Sequence, residues 1–502
     1  MTNHLYDGLL RAGLAERERV FAFLPGDREI SFGDLETRIA RLANVLVEND
    51  VAPGDRVAMQ AGKSIEALVL YLAAIRAGAV FLPLNTGYTP TEIAYFLGDA
   101  KPALFVCPPD REEALAPLAA DAGARLFTLD EDGTGGTLAE HAAKAGTDFT
   151  TISRGPDDLA AILYTSGTTG RSKGAMLSHA NLLSNAEVLR ETWRFDADDV
   201  LLHVLPIFHT HGLFVATNTL LVAGGALLFL PRFDLDAVFA HLPKATSMMG
   251  VPTFYTRMLD DPRLTRDATA HMRVFTSGSA PLLAETHTAF EARTGQRILE
   301  RYGMTETNMN TSNPYDGERR AGTVGFPLAG TELRIVSPDG DPLPDGEIGG
   351  IEVRGPNVFR GYWDMPEKTA QEFREDGFFM TGDLGRIDAD GYVIIVGRDK
   401  DLVISGGYNV YPKEVEEVID ALPGVVESAV IGVPHPDFGE GVVAVVVARE
   451  ALEEARVIAP LEESLARYKQ PKRVVFTDEL PRNTMGKVQK NILRKTYADL
   501  FA

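Results

Sequence analysis

Leu159-Ala-Ala-Ile-Leu-Tyr-Thr-Ser-Gly-Thr-Thr-Gly-Arg-Ser-Lys-Gly174 joins a short apolar run to a loop dense in glycine, hydroxyl and basic residues. Leu159 to Leu163 reads as a buried strand and a helical pattern begins at Asn181, so the loop is expected between strand and helix. Phosphates bind in such a place. Glycines let backbone approach a ligand, hydroxyls and free N–H groups donate to phosphate oxygens, and Arg171 and Lys173 bring positive charge. The Walker A spacing fails here, because Ser172 stands where its second glycine would be. Gly62-Lys63-Ser64 fails as well, with Val57 at the first-glycine position. A flexible polar linker has similar composition, but a buried strand does not ordinarily feed one.

Upstream, Ser31-Phe-Gly-Asp34 has the form of a capping box ahead of Leu35, Ile39, Leu42 and Leu46, one apolar helix face. Pro53-Gly54 ends it. A strand from Arg56 to Gln60, an amphipathic helix from Ser64 to Arg76 and a strand from Ala79 to Leu84 follow in β-α-β order. The alternation recurs at Leu104–Cys107, Arg125–Leu129 and Ala161–Tyr164, which predicts a large α/β domain of layered sheets and helices. Asp130 to Thr137 reads as a surface loop.

A chain of 502 residues exceeds one hydrophobic core, and 45% hydrophobic with 24% charged content is that of a globular protein. A formal net charge of −22 argues against nucleic acid and anionic membranes as partners. The single Cys107 excludes intrachain disulfides and cysteine-based zinc clusters. The N-terminus lacks signal-peptide features, and the apolar stretch near Leu220–Leu230 is broken by Gly224-Gly225, so a cytoplasmic enzyme is expected.

Downstream, His209 and His211 lie between Pro206 and Gly212, which suggest a turn, and with no third metal ligand nearby they read as polar pocket or capping residues. Val274 to Leu282 is a strand entering a small-residue turn, where a flat ring could lie against Gly278. In Arg301-Tyr-Gly-Met-Thr-Glu306, Tyr302 offers an aromatic face and Glu306 a hard oxygen suited to magnesium; a turn leading into an acidic helix start explains the same residues. Beyond Pro327 short strands and Asp-Gly turns indicate a β-rich antiparallel region. Asp383, expected in a tight turn there, could accept from two vicinal hydroxyls. Gly397 to Asp401 reads as a solvated connector, which divides residues 1–399 from a small α+β domain, 400–502. That domain is expected to carry a helix from Pro412, strands at Ser428–Val433 and Gly441–Ala448, a helix at Glu462–Arg467, and a terminal turn holding Lys487.

Together Tyr164–Gly174, Ser277–Leu282, Tyr302–Glu306, Thr381–Asp383, Gly397–Asp401 and Pro481–Lys487 resemble, in order and over nearly the whole chain, the acyl-adenylate-forming superfamily. It comprises acyl-CoA synthetases, peptide-synthetase adenylation domains and firefly-type luciferases. The segment Glu300–Arg320 resembles the malonyl-CoA synthetases within it. The resemblance implies ATP, magnesium and coenzyme A as cosubstrates and cofactor, an acyl-AMP intermediate, and a small mobile C-terminal domain. It implies that Thr165, Ser166, Gly167, Thr168, Thr169, Gly170 and Lys173 hold phosphates, with Ser277, Gly278, Ser279, Ala280, Tyr302 and Gly303 around the adenine. Thr305, Glu306 and Thr165 would engage metal and phosphate, Asp383 and Arg398 the ribose, and Lys487 the reacting groups, with Lys400 as hinge. A dicarboxylate brings a second charge into the acyl pocket, for which Arg301 is the expected partner, alongside His209, Ser277 and Met304. Gly406, Gly407 and Lys469 are candidates for coenzyme A on position and charge, as is Lys472. Ligation of acetate, propionate or methylmalonate, charging of a carrier protein, and an enzymatically silent nucleotide-binding protein stay open as alternatives, as does the oligomeric state.

Overall fold

The Ser31 hydroxyl accepts from the Asp34 N–H while the Asp34 carboxylate accepts from the Ser31 N–H, and this capping box starts the helix Phe32–Glu48 as expected. The computed structural model describes residues 2–501 except Asp27, Ser166–Arg171, Thr484 and Met485, and at Glu463 the backbone only. Among the described residues the strands form four sheets.

The first runs Arg125–Thr128, Leu104–Cys107, Arg56–Met59, Val80–Pro83, Leu159–Thr165, Lys173–Ser178. Its parallel interior strands are continuous apolar runs, because helices cover both faces. The helix Ile65–Arg76 is buried at every position but Glu66, as a helix enclosed between layers must be. The second sheet has nine strands, parallel through Ser247–Gly250, Val274–Ser277 and Leu299–Met304, then antiparallel at Asn308–Ser312 and Phe326–Pro327. The third is antiparallel, Glu332–Val336, Gly349–Arg354, Phe379–Ile387, Val393–Arg398, the β-rich region that the turns predicted. Residues from 403 onward build the fourth. In its strand Gly439–Ala448, Val442, Ala444 and Val446 enter one core, and Val443, Val445 and Val447 enter another on the opposite face. Neither core contains a residue from before 403. No described helix is long and apolar enough to cross a membrane.

Four local expectations are corrected. The motif Tyr164–Gly174 does not lead directly into a helix: Thr165 pairs antiparallel with Lys173, and the helix starts at His179 after the strand Lys173–Ser178. Asp383 lies within the strand Phe379–Ile387, not in a turn; Gly382 at φ +71° and a register shift at Leu384/Gly385 place a bulge there. Glu306 caps no helix, and sits in the three-residue turn between Leu299–Met304 and Asn308–Ser312. The helix expected at Glu462–Arg467 is Glu454–Ser464, with Pro460 inside it at the loss of one backbone hydrogen bond. The Asp130–Thr137 loop is also followed by an unexpected helix, Thr137–Lys144.

Candidate active site

Arg301 is only 3% exposed, on a strand at the edge of the parallel block. Its guanidinium packs on Gly278: a Cβ there would fall 2.3 Å from the Arg301 Cζ. The flat group against Gly278 is thus this side chain, rather than only a ligand ring. Arg301 Nε and Nη2, Ser277 Oγ and His211 Nε2 are buried with no hydrogen-bond partner among the described residues. His211 Nδ1 lies 3.1 Å from Ser279 Oγ, and the His211 N–H donates to His209 Nδ1 at 3.2 Å. Burial and then the Arg301 charge push His209 down to about 4 and His211 well below the usual range, so both are neutral at pH 7. Burial lowers Arg301 itself to about 10, which leaves it charged. A guanidinium with two empty donors beside the unpartnered Ser277 hydroxyl is a receptor for an anion, since each empty donor otherwise costs desolvation energy. Met304, half-buried, ends the same strand.

At the next residue the Tyr302 hydroxyl donates to Asp383 Oδ2 at 2.6 Å, and Arg398 Nε meets Asp383 Oδ1 at 3.2 Å. Each Asp383 oxygen is engaged once, with a lone pair left for a ribose hydroxyl. Gly303 is obligatory, because a Cβ would lie 1.9 Å from the Asn308 carbonyl oxygen. Lys487 reaches this cluster from the far end of the chain. Burial, with Arg398 close by, lowers its ammonium to about 8, and Asp383 opposes the shift.

Lys173 Nζ pairs with Glu372 Oε1 at 2.9 Å and lies 4.0 Å from the Tyr362 ring centre. The Tyr362 hydroxyl is 2.6 Å from Glu372 Oε2 and 3.1 Å from Glu306 Oε1, and Thr165 Oγ1 donates to that same oxygen at 3.4 Å. Burial raises Glu306 above the usual carboxylate range. Burial also acts to raise Glu372, but hydrogen bonds from Tyr362, Lys173 and Lys368 outweigh it and hold the carboxyl low. No group of three or more His, Cys, Asp or Glu able to hold a metal occurs among the described residues. One or two carboxylates completed by phosphate oxygens and water is the habit of magnesium, and Glu306 with Thr165 and its neighbour Thr305 fit it. Ser166, Gly167, Thr168, Thr169 and Gly170 lie outside the described residues.

Ala280 follows Ser279 in the turn over the Arg301 pocket. Lys400 sits in the 3-10 turn Asp399–Asp401, between the third sheet and the fourth. Gly406 and Gly407 are exposed beside Tyr408, which stacks on Tyr468 at 4.8 Å. Lys469 is held by Glu414 at 2.5 Å, and Lys472 lies 4.8 Å over the Phe438 ring. No hydrogen bond or ion pair among the described residues joins these positions to the Arg301–Glu306 cluster. Tyr362, Glu372 and Glu300 escaped sequence reasoning. Tyr362 and Glu372 are ten positions apart and meet only because the helix Pro366–Glu372 folds back; Glu300, between Leu299 and Arg301, carries no local signal of its burial.

The family model described as AMP-binding enzyme matches residues 11–363, and the AMP-binding enzyme C-terminal domain matches residues 414–487. The ATP-bound crystal structure of MatB from Rhodopseudomonas palustris is 59% identical, covers 100% of both chains and superposes with a TM-score of 0.98. The apo structure of that protein, at the same identity and coverage, gives 0.87. A malonate–CoA ligase of Arabidopsis thaliana is 34% identical over 93% of this chain and 85% of its own.

Proposed function

The chain belongs to the AMP-binding enzyme family, and from that premise we propose that it joins malonate to coenzyme A with ATP, giving malonyl-CoA, AMP and pyrophosphate. The observation that carries the choice of acid is Arg301: a buried guanidinium with two unpartnered nitrogens, amid neutral His211 and Ser277, suits the second carboxylate of a small diacid. A fatty acyl chain would leave that charge buried and uncompensated.

In the first half-reaction the bound carboxylate attacks the α-phosphate of ATP and pyrophosphate leaves. Both reactants are anions, so the protein's task is to neutralise and align them. Arg301 holds the distal carboxylate and thereby aims the proximal one. Tyr302 lies along the adenine, Asp383 and Arg398 hold the ribose, and Lys173 meets the β- and γ-phosphates. Glu306 with Thr165 and Thr305 would hold magnesium, which would supply charge neutralisation on the phosphates. Lys487 brings its ammonium to the carboxylate and the α-phosphate. In the second half-reaction the thiol of coenzyme A attacks the acyl carbon and AMP departs. For that step we place a hinge at Lys400, about which residues 400–502 turn, withdrawing Lys487 and presenting Gly406, Gly407 and Lys469. A cytoplasmic location accompanies this reading.

The test is incubation with ATP, magnesium, coenzyme A and a panel of malonate, methylmalonate, acetate and propionate, followed by mass spectrometry of the thioesters. Malonyl-CoA is expected to dominate. Preferential acetyl- or propionyl-CoA would refute a diacid pocket.

A further inference from the structure

Glu372 is the last residue of the helix Pro366–Glu372, and no role above is assigned to it. Its Oε1 meets both Lys173 Nζ at 2.9 Å and Lys368 Nζ at 3.0 Å, while Oε2 lies 2.6 Å from the Tyr362 hydroxyl. That hydroxyl owns a single hydrogen and faces two carboxylates. The shorter contact takes the hydrogen to Glu372, so Glu306 Oε1 at 3.1 Å is left facing a lone pair. Lys173 meanwhile is within electrostatic reach of Glu306 yet pairs with Glu372.

We infer that Glu372 is a positioning residue which keeps Glu306 available to the metal by engaging both groups that would otherwise occupy it, the Lys173 ammonium and the Tyr362 hydrogen. Two opposite charges in one desolvated pocket attract strongly, and Lys173 relieved of Glu372 would close on Glu306. The ammonium would then be withdrawn from the phosphates and the carboxylate from the cation in one movement. Glu372 thus separates a lysine and a glutamate that must act on the same nucleotide without neutralising each other. This rests on the roles of Lys173 and Glu306 in the proposed function, but not on the identity of the acid.

The experiment is Mn2+ binding, followed by electron paramagnetic resonance, to the full-length protein with a non-hydrolysable ATP analogue and no acyl substrate. Glu372→Gln keeps the shape and the acceptor oxygen but removes the charge, and it should weaken Mn2+ binding about ten-fold or more. In a Glu306→Gln background the same change should add less than about two-fold, since the carboxylate to be protected is gone. Glu372→Thr carries the same expectations should the glutamine variant melt below the assay temperature. Wild-type Mn2+ affinity in Glu372→Gln, or equal losses in both backgrounds, would overturn the assignment. Because no carboxylic acid is present, a different acyl preference would leave this readout untouched.

Discussion

Arg301 pays twice for its position, through burial and through two nitrogens left without partners, and an entering anion would offset both costs. Arg301→Ala should therefore lower kcat/KM for malonate by about 100-fold, the worth of a buried charge-assisted pair, and for propionate by less than about five-fold. Steady-state pyrophosphate release with each acid measures this, and equal losses would remove Arg301 from the choice of substrate. Lys487 makes a pH-dependent counterpart. An ammonium lowered to about 8 is charged below that pH and neutral above it. If adenylation uses that charge as proposed, its rate should hold level below about 8 and fall as pH rises through it. Single-turnover adenylation against pH should show this limb, and Lys487→Arg, whose charge persists, should shift it upward.

The hairpin formed by Leu299–Met304 and Asn308–Ser312 sets Glu300, Arg301, Tyr302 and Glu306 on one short element. Alternation along the strand sends Arg301 and Tyr302 to opposite sides, one to the Gly278 pocket and one to Asp383. Neighbouring Glu300 is buried; its Oε1 accepts from the Leu282 N–H at 3.1 Å and its Oε2 has no partner among the described residues. Burial raises its carboxyl to about 7, with Lys413 the first influence opposing that. Its folded-state preference for the neutral form is fully present below the ordinary value of 4.5 and is lost as pH rises through about 7. Glu300→Gln should thus leave the melting temperature unchanged near pH 4.5 and raise it at pH 8, by an amount up to about 3 kcal/mol in stability. Scanning fluorimetry across pH checks it, and an equal shift at both pH values would contradict the assignment. Elements were legible where local chemistry is self-sufficient, as in the Ser31–Asp34 capping box. They were misread where pairing decides: Lys173–Ser178 is a strand only because Leu159–Thr165 lies beside it.

Across the whole molecule the site is completed by a segment that follows the third sheet by about ninety residues, an order of separation that only tertiary folding can close. Lys413 Nζ donates to the Ile395 carbonyl at 2.8 Å, and Gly486 would place a Cβ 3.5 Å from Thr253 Oγ1, so the C-terminal segment is seated on the preceding part with Lys487 inward. Arg494 pairs with Asp401 at 2.8 Å, tying the last helix to the residue after Lys400. If the two half-reactions use two orientations of that segment, Lys487→Ala should abolish adenylation while thioester formation from supplied malonyl-AMP stays within about three-fold of wild type. Rapid-quench measurement of each half-reaction separates them; equal loss in a folded variant would deny the division of labour.

By itself the sequence determined the α/β layering, the β-rich third region, the separate C-terminal core and the ordered motifs, because periodicity, capping and glycine placement act within a few residues. Only the tertiary structure decided which side chains share a pocket. The guanidinium on Gly278, the Tyr302–Asp383 bond and the Lys173–Glu372 and Tyr362–Glu306 contacts each join residues more than twenty positions apart, and no local pattern encodes them. Their common cause is desolvation: in a buried pocket every charge and donor must find a partner in space, whatever its distance along the chain.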